Sequence, residues 1–241
     1  MKKIFRISLL LVFISLSTAS QGQILISLLF GEALNSDKIE FGLTGGFNRS
    51  WILDLEESSG MNSFNLGFYF HINMFENSYL STGVLVKSNV GARGMSTYPI
   101  GDLEFDDVYA EGELLKQINY FYVPIQWHQR FNNRFYLEGG LQLGLRGKAY
   151  DIFYLEEAYG GELGYKRDIR DEIKALDAGL TAGAAYKFKK QIKSMSLGVR
   201  YYYGLVDVSK LEDLTMKNST LYISMKIPIG AGSKKKNTPT D

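Results

Sequence analysis

Cysteine is absent from the 241 residues, which excludes disulfides, thiolate metal sites and a lipobox cysteine. Proline is scarce at 4, so long stretches run without the residue that interrupts strands. Imidazole comes only from His71 and His128. Beyond the amino-terminal segment no apolar run is long enough for a spanning helix. Such a chain can enter a bilayer only as a closed barrel, because lipid leaves unpaired backbone groups unsatisfied. A large charge of either sign is also missing: the formal net charge is +1, which gives no reason to expect nucleic acid as a partner.

Glycine (25) and aromatic residues (14%) are plentiful, a mixture that fits long strands with crowded interior positions and aromatic girdles. The amino terminus reads Met1-Lys2-Lys3-Ile4-Phe5-Arg6, then an apolar run from Ile7 to Leu16, then Ser17-Thr18-Ala19-Ser20. A basic, an apolar and a small-residue region in that order make residues 1–22 a secretory signal peptide, cleaved between Ala19 and Gln23. Its removal takes away Lys2, Lys3 and Arg6 but no acid, so the charge passes from +1 to −2.

The most informative stretch is the hairpin 118–146. In one arm Phe121, Val123, Ile125 and Trp127 alternate with Tyr122, Gln126, His128 and Arg130; in the other Leu137, Leu141, Leu143 and Leu145 alternate with Glu138, Gln142 and Arg146. A period of two over this length means strands with one apolar and one polar face. Ten or more residues per arm is also what a tilted strand needs to cross a bilayer. Similar alternation predicts strands over 38–48, 63–73, 78–89, 174–188, 194–204 and 218–229. The connections alternate between short and long, the longest being 91–117 and 147–173. Short periplasmic turns against longer external loops are the rhythm of a transmembrane barrel. The expected fold is therefore all-β, an eight-stranded antiparallel up-and-down transmembrane β-barrel over 38–229. The apolar segment 23–37 reads as a short helix or as an extension of the first strand, and 230–241 as a disordered polar tail.

Several segments resemble the PorT-like outer-membrane β-barrel proteins: EFGLTGGFN at 40–48, YFYVPIQWHQRF at 120–131, FYLEGGLQLGL at 135–145, LDAGLTAGAAYKF at 176–188 and RYYYGLVDV at 200–208. The resemblance covers most of the mature chain in order and implies an outer-membrane barrel without an assigned activity; it transfers no catalytic residues. The sequence departs from the usual outer-membrane pattern in ending on IPIG and a lysine-bearing tail rather than on an aromatic.

The inward parity predicts a lumen polar network of Glu40, Lys87, Arg130, Glu138, Arg146, Asp177, Arg200 and Lys226. Charges in a narrow lumen must pair or stay hydrated, so the plain reading is a brace and the sharper one a small conduit. Tyr69, Tyr122 and Tyr202 on the same face oppose an open pore. His71 and His128 suit a barrel hydrolase only if a serine and an acid join them; they read better as lumen histidines. Asp102, Glu104, Asp106, Asp107, Glu111 and Glu113 cluster, but without the spacing of a calcium loop. The expectation is a non-enzymatic barrel with no cofactor and no metal, located in the outer membrane. Its role is structural, adhesive or partner-docking through 91–117 and 147–173, and these loops are expected to be dispensable for barrel assembly. The alternatives are a narrow channel for small polar solutes and a lipid-modifying enzyme.

Overall fold

A computed structural model describes residues 38–55, 58–132, 134–156, 162–190 and 193–229. The expected signal peptide, the segment 23–37 and the tail 230–241 lie outside the described residues. The elements are β1 (Ile39–Leu53), β2 (Ser59–Phe75), β3 (Ser78–Ser96), α1 (Leu103–Tyr109), β4 (Glu113–Phe131), β5 (Phe135–Glu156), β6 (Glu162–Asp168), a 3-10 turn (Arg170–Glu172), β7 (Leu176–Lys187), β8 (Ser196–Gly204) and β9 (Lys217–Pro228). Neighbours pair antiparallel, β5 also pairs with β7, and β1 pairs with β9. All strands but β6 thus form an eight-stranded closed ring. The added strand β6 pairs only with the far end of β5, in a segment that the sequence alternation does not mark as a strand.

The register sets the width of the ring. Phe41 pairs with Phe70, then in turn Thr82, Ile125, Leu141, Leu180, Tyr203, Ser219 and finally Trp51. One circuit therefore returns to β1 ten residues further along. Eight strands with a stagger of this kind enclose a bore just wide enough for side chains to fill. Backbone crowding shows at Gly140, where a Cβ would lie 2.1 Å from the Ile125 carbonyl oxygen.

The expected faces hold through the middle of the wall. Phe121, Val123, Ile125, Trp127, Leu137, Leu141, Leu143 and Leu145 are exposed on the outside, while Tyr122, Gln126, His128, Arg130, Glu138 and Gln142 are buried inside. Toward the long-loop end the polarity inverts. There the inward residues are apolar (Val90, Ala92, Leu114, Ile118, Ala149, Phe153), and all are buried; Gln117, Asn119 and Lys148 stand on the outside. Two irregularities accompany the inversion: one between Leu66/Lys87 and Gly67/Leu85, the other between Ile118/Ala149 and Tyr120/Arg146. Outside the bilayer the outer wall meets water, so the apolar face has to turn inward.

The strands consequently run on where loops were expected. β1 and β2 take up most of 49–62, and β3, β4 and β5 extend through much of 91–117 and 147–173. These extensions, α1 and the segment 205–216 close over the bore with a core that includes Ile52, Leu85, Met95, Tyr109, Ile118, Phe153, Ile169, Ile173, Val208 and Met216. Asp102 caps α1 by accepting from the Phe105 N–H. Phe105 stacks on Tyr109 at 4.4 Å and meets Tyr165 edge-on at 4.5 Å. The long-loop segments therefore belong partly to a core, and cutting them to short turns would uncover it; this differs from the expectation that they are dispensable.

The inversion predicts opposite outcomes for one substitution at two outward positions. Leu143→Arg places a guanidinium against lipid and should lower stability by roughly 2–4 kcal/mol. Gln117→Arg lies beyond the inversion and should stay within about 0.5 kcal/mol of the parent. Denaturant unfolding of both variants in bilayers measures the difference, and equal losses would contradict the assigned faces.

Candidate functional site

Because the bore is narrow, each lumen side chain meets others from across the ring. At the short-turn end Tyr69 Oη donates to Glu40 Oε1 at 2.8 Å, and His71 Nδ1 lies 3.4 Å from the same oxygen. Across the lumen Lys226 Nζ donates to Glu138 Oε2 at 3.3 Å, with His128 Nε2 also at 3.3 Å. The two imidazole rings stand 5.0 Å apart, and His128 stacks on Tyr136 at 5.1 Å. Further cations rest on tyrosine rings: Arg130 and Lys187 on Tyr79, Arg200 on Tyr222. Ring faces attract cations that burial has stripped of water.

The middle layer is neutral apart from Arg200. Arg200 Nη1 donates to Gln126 Oε1 at 3.1 Å, and Gln126 Nε2 donates to Thr181 Oγ1 at 2.9 Å. Gln142, fully buried, donates to Tyr222 Oη at 3.3 Å. Above it Asp177 accepts from Tyr122 Oη (2.7 Å), Tyr202 Oη (2.8 Å) and Asn218 Nδ2 (2.8 Å). Tyr120, Tyr122, Tyr202 and Tyr222 are each buried completely, so this layer fills the bore with rings; the Tyr122 and Tyr202 hydroxyls converge on one carboxylate, and that of Tyr222 meets Ser88 and Gln142.

The apolar plug follows, crossed by one polar line. Lys116 Nζ donates to Asp151 Oδ1 at 2.6 Å, Tyr98 Oη to Asp151 Oδ2 at 2.7 Å, and Arg167 to both Tyr98 Oη and Glu172 Oε1. Burial, and then the bond to Asp151, push the Tyr98 hydroxyl above the usual phenol range. Beyond the barrel end Asp207 anchors the segment after β8, accepting from the Ser209 and Met216 N–H groups and from Lys174 Nζ at 3.0 Å. Burial pushes its carboxyl upward, but these donors outweigh it and hold the group below the usual carboxylate range.

Glu40, Arg130, Glu138, Asp177, Arg200 and Lys226 all lie buried in the lumen, as the sequence parity predicts. Arg146 stands at the upper rim, where its guanidinium donates to the Arg170 carbonyl, so it ties β5 to the cap rather than joining the network. Lys87 is a correction. The bulge in β3 turns it onto the outer wall, where it is exposed beside Leu66. Lys187, Lys116 and Asp151 were missed. Lys187 shares the parity of Asp177 and Thr181, a signal that was available; Lys116 and Asp151 were hidden in segments read as loops. Asp102 and Asp106 of the acidic stretch are engaged locally, Asp106 accepting from the Ile100 and Gly101 N–H groups.

Comparison with known proteins adds the following. The family model for the outer membrane protein beta-barrel domain matches residues 30–210. No curated protein matches. Among solved structures, Ail, the attachment invasion locus protein of Yersinia pestis, crystallised with the heparin analogue sucrose octasulfate, is 13% identical over 78% of this chain and 97% of its own, at a TM-score of 0.40. Neisserial surface protein A is 9% identical over 78% and 96%, at 0.37. OprG from Pseudomonas aeruginosa is 12% identical over 79% and 93%, at 0.33.

Asp177→Ala leaves three buried donors without an acceptor and should cost roughly 3 kcal/mol or more, whereas Asp177→Asn, which keeps an acceptor oxygen, should cost less; chemical unfolding of the two variants gives the order. A pH dependence follows from Asp207. Its depressed pKa contributes stability that is complete above the unfolded carboxylate value, about 3.9, and is lost as pH falls through the lower folded value. Hydrogen exchange over 205–216 should therefore be slow at neutral pH and accelerate, relative to the strands, only in strong acid. Asp207→Asn should bring fast exchange to neutral pH.

Proposed function

This chain belongs to the outer membrane protein beta-barrel domain family, and on that premise we propose that it is a non-enzymatic docking barrel of the outer membrane. Its strands cross the bilayer, the short turns face the periplasm and the long-loop cap faces outward. The observation that carries the reading is the filled bore. Four buried tyrosines and the apolar plug above them occupy the space that a conducting or substrate-binding lumen needs to leave open. What remains available is the outside of the cap, where Val108, Tyr165 and Leu211 are exposed among charged neighbours such as Asp107, Lys166 and Lys210. Exposed apolar and aromatic side chains rimmed by charge on a rigid scaffold suit contact with another protein or surface. The narrower likeness to the PorT-like proteins is part of this proposal and rests on the sequence segments alone. The acidic and histidine pairs of the lumen serve as braces between opposite walls.

The test combines conductance with surface exchange. Planar bilayers containing the full chain should show no single-channel steps. Replacing Val108, Tyr165 and Leu211 together with serine should preserve heat-modifiable gel mobility while abolishing the surface attachment that the parent confers on cells. Reproducible conductance by the parent, or attachment undiminished by the triple substitution, contradicts the docking reading.

A further inference from the structure

The bulge that removes Lys87 from the lumen gives it a position with a chemistry of its own. Leu66 pairs with Lys87 and Gly67 with Leu85, so Val86 is the extra residue. Leu85 and Ser88 remain buried inside, while Val86 and Lys87 are both exposed on the outer wall. Bulges re-aim side chains in this way, and here the result is a lysine at the upper margin of an apolar wall.

On the other side of β2 stands Arg49, also exposed. Arg49 pairs in register with Asn62, and its Nη1 donates to Asn62 Oδ1 at 3.3 Å. Its guanidinium lies over the Trp51 ring, 5.7 Å from the centroid. Gly60 makes room for that stack: a Cβ there would sit 2.7 Å from both Arg49 Nε and Trp51 Nε1. One strand separates the two cations and their partners on it, Asn62 and Leu66, stand four residues apart, so the backbones are roughly 15 Å apart, a gap that two long side chains closing on one phosphate can span. The stagger of the ring raises each lateral step by a little over one residue, which brings Arg49 and Lys87 to the same height.

Directly toward the periplasm the wall changes character. Phe47, Phe64, Leu66 and Val86 are exposed, and the Phe47 and Phe64 rings lie 4.6 Å apart. β1, β2 and β3 contain a single acid, Glu40, and it faces the lumen. Two cations and an amide thus line the upper edge of an apolar strip, with no acid on that outer face of these strands to neutralise them. A bilayer covering that strip would end in head groups at their height.

We propose that Arg49, Asn62 and Lys87 form a docking site for the phosphate of a phosphate-bearing lipid in the outer leaflet, whose acyl chains lie along Phe47, Phe64 and Leu66. The inference rests on the bilayer placement of the barrel and is independent of what the cap binds. Lysine and arginine offer charge-assisted donors to the phosphate oxygens, and the phenylalanines offer the chains an apolar bed. The bulge is then the device that supplies the second cation.

Native mass spectrometry of the full chain in detergent micelles tests this, using dioleoyl phosphatidic acid, dioleoylglycerol and inorganic phosphate as probes. The parent should retain phosphatidic acid and lose about tenfold or more of that retention when Arg49 and Lys87 are both changed to glutamine. Lys87→Arg should retain it, and Lys210→Gln, on the cap, should leave it unchanged. Dioleoylglycerol should bind only at background, and millimolar inorganic phosphate should not displace the lipid. Equal retention by the double variant, or equal binding of dioleoylglycerol, overturns the site. Displacement by inorganic phosphate overturns the lipid in favour of a soluble anion. Folding of each variant is checked by heat-modifiable mobility. If the double variant fails that check, Lys87→Gln, which alters one exposed side chain, decides: an undiminished retention refutes the proposal.

Discussion

The pairing of β1 with β9 is the constraint from which the rest follows. It joins the two ends of the strand order and leaves no strand of the ring with an open edge. In lipid that closure is obligatory, because an unpaired amide has no water to turn to. Closure with a ten-residue stagger fixes the diameter, and the diameter brings opposite walls within side-chain reach. The polar groups that pair inside then find their partners on other strands. The short-turn half answers with carboxylates shared between a tyrosine, a lysine and two histidines; the middle answers with tyrosine hydroxyls gathered on Asp177. These contacts join residues far apart in sequence, such as Glu138 and Lys226, and therefore couple the walls across the bore.

The wall itself was legible in the sequence because lipid acts on every strand in the same way. Leu137, Leu141, Leu143 and Leu145 face outward, and the polar residues between them face in, as a period of two requires. What the alternation did not disclose was its change of phase. Above the bilayer the outside is wet and the inside is an apolar plug, so Ile118 and Phe153 occupy inward positions that would hold polar groups lower down. Reading one apolar face per strand stops each strand at the membrane margin and assigns the remainder to loops. That is why β1 ended early, β6 was not foreseen and most of the plug stayed hidden.

The inward positions of the lumen charges follow from the sequence wherever parity runs unbroken. Glu40, Arg130, Glu138, Asp177, Arg200 and Lys226 needed nothing beyond counting by twos. Lys87 failed for a local reason: one extra residue at Val86 reverses every position after it, and a bulge without a glycine or proline signal cannot be seen by alternation. Arg146 shows a milder form of the same limit. Its parity was right, but at the rim its partner is a carbonyl of the cap, fixed by how the segment after β6 folds back. Partners depend on the stagger, and the stagger is a property of the closed ring rather than of any one strand.

The unequal strand lengths connect this architecture to function. β3, β4 and β5 span 19, 19 and 22 residues, whereas β7, β8 and β9 span 12, 9 and 12. One side of the barrel thus stands well above the other, and the core between that tall side and the segments after β6 and β8 is what seals the bore. A seal built this way holds the cap as firmly as the wall, since Ile118 and Phe153 belong to strands that also cross the bilayer. The outer surface of the cap is then carried on a rigid support rather than on free loops. Rigid presentation lowers the ordering cost of binding, which is the physical ground of the docking proposal.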